Sequence, residues 1–367
     1  MKERRGQLTI ILVFVLILGA FCVLHFMTAP PSVIVSERRP ATAMPRLSAD
    51  AVFSGQFMKD FERYAADRFP YREQLRTLKA FNVFHVFQQT DMGGLYLDRT
   101  GAGSFRPIDE RSFRLSLQKL DEYAGGLSDL HNYLALVPDK SIYAARAYPG
   151  YDPALAASLI KEETNNFTVI DLAGTLTAGD YYRTDLHWDQ PELGAVTDRL
   201  GAAMQADFPW AGAEVKGAGP LRGNYYGQIP LPMAPDRLTY VTDDVIKQCR
   251  VQFLNPRTGE MEDGAMYDEA GAQGQDPYDF FLSGAQPLIV IDNPQAKTDR
   301  ELYVFRDSFG SSIAPLLASG YARVTLIDFR YIDSRVLPQF VTFKPGSDAL
   351  FLYSSQLLNN PTTLLIR

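Results

Sequence analysis

Ser308 closes the apolar run Leu302-Tyr303-Val304-Phe305 through the short polar turn Arg306-Asp307-Ser308, and a helix is expected from about Ser311. That order places the serine at the carboxyl end of a strand, the edge at which α/β sheets bind ligands. A helix starting there points backbone N–H groups at any anion beside the hydroxyl. Two readings stay open: Ser308 is a nucleophile, or Asp307-Ser308 is an ordinary capping pair before a helix. Asp307 itself either tunes a site or fixes the turn, and the turn is the simpler role.

A serine hydroxyl is a poor nucleophile at neutral pH and needs a base, usually a histidine oriented by a carboxylate. The chain has four histidines. His25 falls in an apolar N-terminal run, His85 in an aromatic helical stretch and His131 at an expected helix end. His187 differs, lying in the polar stretch Arg183-Thr184-Asp185-Leu186-His187-Trp188-Asp189. Asp185 and His187 are two apart, so a turning loop brings the carboxylate to one imidazole nitrogen and leaves the other free. The alternative is a surface loop whose Asp189 starts the next helix. After another apolar run, Arg330 in Asp328-Phe329-Arg330-Tyr331 either holds a substrate anion or serves structure.

Composition limits what else these residues could serve. With 367 residues, 46% hydrophobic and 22% charged, the chain is globular rather than disordered, collagenous or held by disulfides. Thirty-six Lys and Arg against 43 Asp and Glu give a net charge of -7, which argues against nucleic-acid binding through phosphate contacts. Four His and two Cys show no ligand spacing for zinc, so no metal or other cofactor is expected. Cys22 and Cys249 are too differently placed to form one bridge. Cys249, ahead of the strand-like Arg250 to Phe253, is read as structural rather than reactive.

Lys2, Arg4 and Arg5 precede a run from Gln7 to Met27 that is apolar apart from Gln7, Thr9 and His25. Its length suits a bilayer, and Phe21, Leu24, Phe26 and Met27 at its far end disfavour signal-peptide cleavage. An uncleaved anchor is expected, with the basic tip cytoplasmic and the rest extracytoplasmic, although Arg38 and Arg39 weaken the asymmetry. Residues 1–28 thus form the tip and anchor. Pro30, Pro31, Pro40 and Pro45 mark 29–50 as an extended tether.

Residues 51–367 then form one α/β domain. Phe53, Phe57, Phe61, Tyr64 and Phe69 recur at helical spacing, as do Leu75, Leu78, Phe81 and Phe84 after Arg72, with Pro70 breaking the two helices. Such stripes are read as core faces. A turn-rich segment follows Gly93-Gly94, then a helix from Leu115 to Leu130 and a strand from Tyr133 to Val137. Further strands are expected at Thr168–Leu172, Pro287–Ile291, Leu302–Phe305, Arg323–Ile327 and Ala349–Leu352, and helices at Glu192–Gln205 and Ser311–Ser319. This rhythm predicts a sheet covered on both faces, with residues 217–274 as an insertion rich in Gly, Pro and polar residues.

The blocks Thr184-Asp185-Leu186-His187-Trp188 and Arg306-Asp307-Ser308-Phe309 resemble the DHHW protein family and the related extracytoplasmic alginate O-acetyltransferases of the wider SGNH hydrolase group. Phe57 to Tyr64 with Asp67-Arg68-Phe69-Pro70-Tyr71-Arg72, Gly94 to Asp98, Val137-Pro138-Asp139-Lys140 with Tyr143, Asn224 to Gly227 and Tyr278 to Gly284 are similar to further family blocks. The resemblance implies an SGNH hydrolase-like, flavodoxin-like three-layer fold with permuted motif order. It makes Ser308 the nucleophile, His187 the base and Asp185 its orienting carboxylate, with backbone N–H groups at Ser308 and Phe309 as oxyanion donors.

Trp188, Arg330 and Tyr331 are then candidate substrate contacts. The implied activity is O-acyl, most simply O-acetyl, transfer or ester cleavage on envelope or secreted polysaccharide. A transferase would need a polytopic membrane acyltransferase as partner. The chain departs from the family at Leu186, where the eponymous pattern has a second histidine, and at Gly284-Ala285, where members carry Gly-Asn. These departures leave room for a catalytically idle carbohydrate-binding or scaffold protein on the same fold.

Overall fold

A computed structural model describes residues 2–27, 31–37, 39–144, 150–210 and 212–367. Pro30 and Arg38, read above as tether and charge-balance residues, lie outside them. The chain divides into two compact units, residues 1–89 with 227–232, and residues 90–226 with 233–367.

In the first unit, α1 (Lys2–Met27) contains the stretch Gly6–His25, long and apolar enough to cross a membrane and not buried by the protein. The helices α2 (Gln56–Asp67) and α3 (Arg72–Phe81) are separated where expected, around Pro70, with Tyr71 in the left-handed region at φ 57°. Part of the stretch read as a tether is fastened to α2. Arg39 donates to both carboxylate oxygens of the buried Asp67 at 2.8 and 2.7 Å, and Thr42 adds its N–H and hydroxyl. The guanidinium is the main reason that the Asp67 carboxyl is held well below the ordinary range. The aromatic stripes of α2 and α3 do not form core faces. Met58, Phe61, Leu75, Leu78 and Phe81 are exposed, as is Phe53 ahead of α2, while the polar Arg72 and Arg76 turn inward to Glu37, Glu73 and the Gly227 carbonyl.

The second unit is a mixed α/β body around eight strands: β1 (His131–Val137), β2 (Thr168–Ile170), β3 (Arg250–Leu254), β4 (Met261–Gly264), β5 (Leu288–Asp292), β6 (Glu301–Arg306), β7 (Arg323–Ile327) and β8 (Asp348–Ser354). Their order is β4-β3-β5-β7-β6-β8-β1-β2. The strands from β7 to β2 run parallel, while β5, β3 and β4 extend the sheet antiparallel at the β7 side. The stretch 217–274 thus supplies two sheet strands. It also contributes most of the hairpin Glu214–Leu221/Asp236–Thr242.

The parallel strands are apolar at successive positions because both faces are covered. Leu302, Val304, Leu350 and Leu352 pack on one side with α6 (Gly194–Met204) and α7 (Phe309–Leu317). Tyr303, Phe305, Phe351 and Tyr353 pack on the other with α4 (Glu110–Gly125) and α5 (Pro153–Glu163). His131 is an exposed residue opening β1 rather than ending a helix, because α4 stops at Gly125. Cys249 is half-buried, and burial pushes its thiol up to about 12, so it is an inert structural residue.

Candidate active site

Strands β1, β6, β7 and β8 end at one edge, and the residues that follow them build the site. Every residue from Leu302 to Ala318 is buried except Ser308, which is partly open to solvent. The two readings of Asp307-Ser308 divide between the two side chains. Asp307 takes the turn: its carboxylate accepts the Phe309 N–H at 3.1 Å and the Ser354 N–H at 2.8 Å, tying the start of α7 to the end of β8. Ser308 does not cap the helix with its hydroxyl. Its Oγ lies 2.7 Å from Nε2 of His187.

His187 and Asp185 sit in a loop closed by the antiparallel bridge between Tyr181 and Trp188. Asp185 Oδ1 accepts both the His187 backbone N–H at 3.0 Å and the imidazole Nδ1 proton at 2.6 Å, which is what a two-residue spacing permits. Oδ2 accepts the Asn224 N–H at 2.6 Å. Burial of Asp185 raises its pKa. The charge and hydrogen bond of His187 and the two backbone N–H groups outweigh burial and hold the carboxyl below its usual range. With Nδ1 donating, Nε2 is left as the acceptor for the Ser308 proton.

Four features hold this loop in place, and none of them stands out in the sequence by residue type or spacing. Gly223 approaches so closely that a Cβ there would sit 2.2 Å from the Thr184 carbonyl oxygen and 2.4 Å from the Asp185 Cβ. Asp236, from the hairpin, accepts the backbone N–H groups of Arg183 and Thr184 at 2.8 and 2.7 Å. Tyr278 stacks on the His187 ring, centroids 3.7 Å apart and planes 8° from parallel, and its hydroxyl bonds Ser312 Oγ at 2.8 Å. Lys140, just beyond β1, is buried and reaches the carbonyl oxygens of Ala102, Tyr182, Arg183 and Asp185 at 2.7, 2.6, 3.3 and 3.2 Å. In the sequence, Lys140 and Tyr278 stand only in segments similar to family blocks, and Asp236 carries no signal beyond its position in a polar stretch.

Burial lowers Lys140 to about 8, against the pull of Asp185, Asp236 and Asp98. Its partners are all carbonyl acceptors, which the three N–H donors of an ammonium suit. Lys140→Met is expected to leave those carbonyls without their donor. Stability should fall by about 2–4 kcal/mol, the order expected when buried polar groups lose partners. Urea denaturation checks this; a midpoint within error of the parent would show that the loop does not depend on Lys140.

Three expected contacts are corrected by the geometry. Trp188 is 0% exposed, and its indole N–H donates to Ser312 Oγ at 2.8 Å, so it packs behind His187 and cannot face a substrate. The Phe309 N–H is committed to Asp307, which removes it as an oxyanion donor and leaves the Ser308 N–H. Arg330 is bound to Asp328 through Nε at 2.9 Å and Nη2 at 2.6 Å, so its charge is already matched. Tyr331 is 50% exposed and follows β7 at the same sheet edge as Ser308.

Arg306 is buried with Nη1 on Ser311 Oγ at 3.0 Å, while Nε and Nη2 have no partner among the described residues. Among those residues, no group of three or more His, Cys, Asp or Glu converges as a metal site would require. Hollows of about 470 Å³ beside Gly217–Pro220, Asp236 and Arg237, and about 420 Å³ beside Ala124 and Asn165–Thr168, do not include Ser308.

No sequence-family model matches the chain. No curated protein matches it either. Solved structures do match in fold. A DHHW family protein from Eubacterium siraeum superposes with a TM-score of 0.58 at 16% identity, over 74% of this chain and 94% of that one. Bacillus cereus PatB1 does so with a TM-score of 0.59 at 16% identity, over 72% and 96%. A second PatB1 structure, carrying a sulfonyl adduct, gives 0.58 at 16% identity over 72% and 97%. The DHHW resemblance read from the sequence is therefore met by structural neighbours.

Proposed function

We propose that this chain is a membrane-anchored, SGNH-like O-acyltransferase or esterase, with acetyl the expected acyl group and an envelope or secreted polysaccharide the expected substrate. The observation that carries the reading is the line Asp185–His187–Ser308, with contacts of 2.6 and 2.7 Å ending on the one accessible residue of a buried segment. In the reaction, Ser308 Oγ attacks an acyl carbonyl as His187 Nε2 takes its proton. Collapse of the tetrahedral adduct breaks the bond to the donor alcohol, which leaves with that proton, and the acyl group remains as an ester on Ser308. A sugar hydroxyl or water, deprotonated by His187, then takes the acyl group and regenerates the serine.

The fold likeness to PatB1, a protein obtained with a sulfonyl adduct, supports testing the serine with the same chemistry. So do the order of the blocks, with Asp185-x-His187 ahead of Ser308, and the DHHW resemblance. The Gly6–His25 stretch supports a single-pass anchor, and we take its basic tip as cytoplasmic and the α/β unit as extracytoplasmic. On the transferase reading, a polytopic membrane acyltransferase delivers the acyl group outside.

A second reading, a catalytically idle glycan-binding or scaffold protein, draws on the Phe309 N–H bound to Asp307 and on Ala285, which offers no side-chain donor. Incubation with an arylsulfonyl fluoride, followed by peptide mapping, separates the two. The enzyme reading expects one adduct, on Ser308, and none in His187→Ala; an unlabelled Ser308 beside a labelled control hydrolase would favour the idle protein.

A further inference from the structure

On an amphipathic helix packed in a globular body, the apolar stripe faces inward. On α3 the arrangement is inverted. Leu75, Leu78 and Phe81 follow one another at helical spacing and are exposed, Leu78 at 55%, as is Tyr71 just before the helix. Arg72 and Arg76, on the other side, are satisfied within the unit by Glu37, Glu73 and the Gly227 carbonyl. The same unit exposes Phe53 at 91% and, on α2, Met58 and Phe61. Large apolar side chains exposed in this number on one small unit mark a contact face.

What covers it is indicated by α1. Phe21 stacks on Phe69 with ring centroids 5.3 Å apart. Phe21 lies four residues before the end of the apolar stretch Gly6–His25, which is about 6 Å at 1.5 Å per residue. If α1 spans a bilayer, Phe69 is therefore drawn to the outermost few ångströms of the hydrocarbon. That is the depth of about 5–10 Å at which amphipathic helices rest in a membrane interface. The exposed Lys59 and Lys79 flank the apolar residues, with stems long enough to reach headgroup phosphates.

We infer that the exposed apolar faces of α2 and α3 lie in the headgroup–acyl boundary of the bilayer that α1 enters, making the first unit a monotopic collar around its own anchor. This inference rests on the anchor reading of α1, and the experiment separates the two. The full chain, with Cys22→Ala and Cys249→Ala, is reconstituted into phosphatidylcholine–phosphatidylglycerol vesicles with a fluorophore on Leu78→Cys, on Phe53→Cys, or on Asp263→Cys as a reference in the α/β unit.

Spin-labelled lipids carrying the quencher near the top of the acyl chain should quench the Leu78 and Phe53 labels at least about twofold more than the Asp263 label, with the reverse order for aqueous iodide. Equal exposure of all three to iodide would overturn the inference. So would protection of Leu78 and Phe53 from both quenchers, which would mean that a protein covers the face. Extraction of the chain by alkaline carbonate would instead defeat the anchor reading itself.

Discussion

Ser308→Ala is expected to lower ester turnover by about 10⁴-fold or more while leaving stability within about 1 kcal/mol. Activity should collapse because the bond that carries the acyl group is made to Oγ, and among the described residues no other hydroxyl lies against His187 Nε2. The fold should be spared because the hydroxyl caps nothing: the turn is held by Asp307, whose carboxylate binds the Phe309 and Ser354 N–H groups. The loss is then in chemistry rather than in folded protein. Initial rates on a chromogenic acetyl ester, beside thermal melts of both proteins, check it. Unchanged turnover in a folded variant would dismiss Ser308 as nucleophile and with it the proposed activity.

The nucleophile and its base were legible because their signals are local. An apolar run that stops at a polar turn before a helix marks Ser308, and a two-residue spacing in a polar loop marks Asp185 and His187. The sheet was legible for a similar reason, since strands buried on both faces read as continuous apolar runs, and β7 was found with the bounds expected. What holds the loop was not legible as such. Lys140, Gly223, Asp236 and Tyr278 come from separate stretches, and their convergence on Asp185 and His187 has no periodicity to betray it.

Trp188 departs from its expected role for a related reason. Adjacency to His187 in sequence says nothing of direction, and the side chain points into the core between Phe309 and Ser312. The aromatic stripes of α2 and α3 show the other limit. Helical spacing establishes that Leu75 and Leu78 share a face, but not whether protein, water or lipid covers it. The helix α5, which is not among the expected elements, has a local start signal: the Asp152 carboxylate accepts the Ala154 and Leu155 N–H groups, and Pro153 stands at the first position.

Asp185→Asn is the sharper test of the geometry, because it changes hydrogen-bond direction without changing size. Asp185 accepts three donors on two oxygens: the imidazole Nδ1–H and the His187 N–H on Oδ1, and the Asn224 N–H on Oδ2. An asparagine has one oxygen for these. If it faces His187, the amide NH₂ opposes the Asn224 N–H and a buried donor loses its partner, costing about 1–3 kcal/mol. If it faces Asn224, the NH₂ points at Nδ1, and the imidazole must carry its proton on Nε2. It then donates to Ser308 instead of accepting from it.

The second arrangement removes the base, and a fall of about 10⁴-fold in kcat is expected from the wrong tautomer. The pH dependence sharpens this. The Asp185 carboxyl is held below its unfolded value, so the stability it contributes is present above about pH 4 and is lost only as pH falls through the lowered value. Any loss of turnover between pH 7 and about 5 in the parent therefore does not come from Asp185. Asp185→Asn should lower the plateau of the pH–rate profile. A kcat within about tenfold of the parent, with the sulfonyl adduct forming on Ser308 at the parent rate, would show that His187 is oriented without the carboxylate.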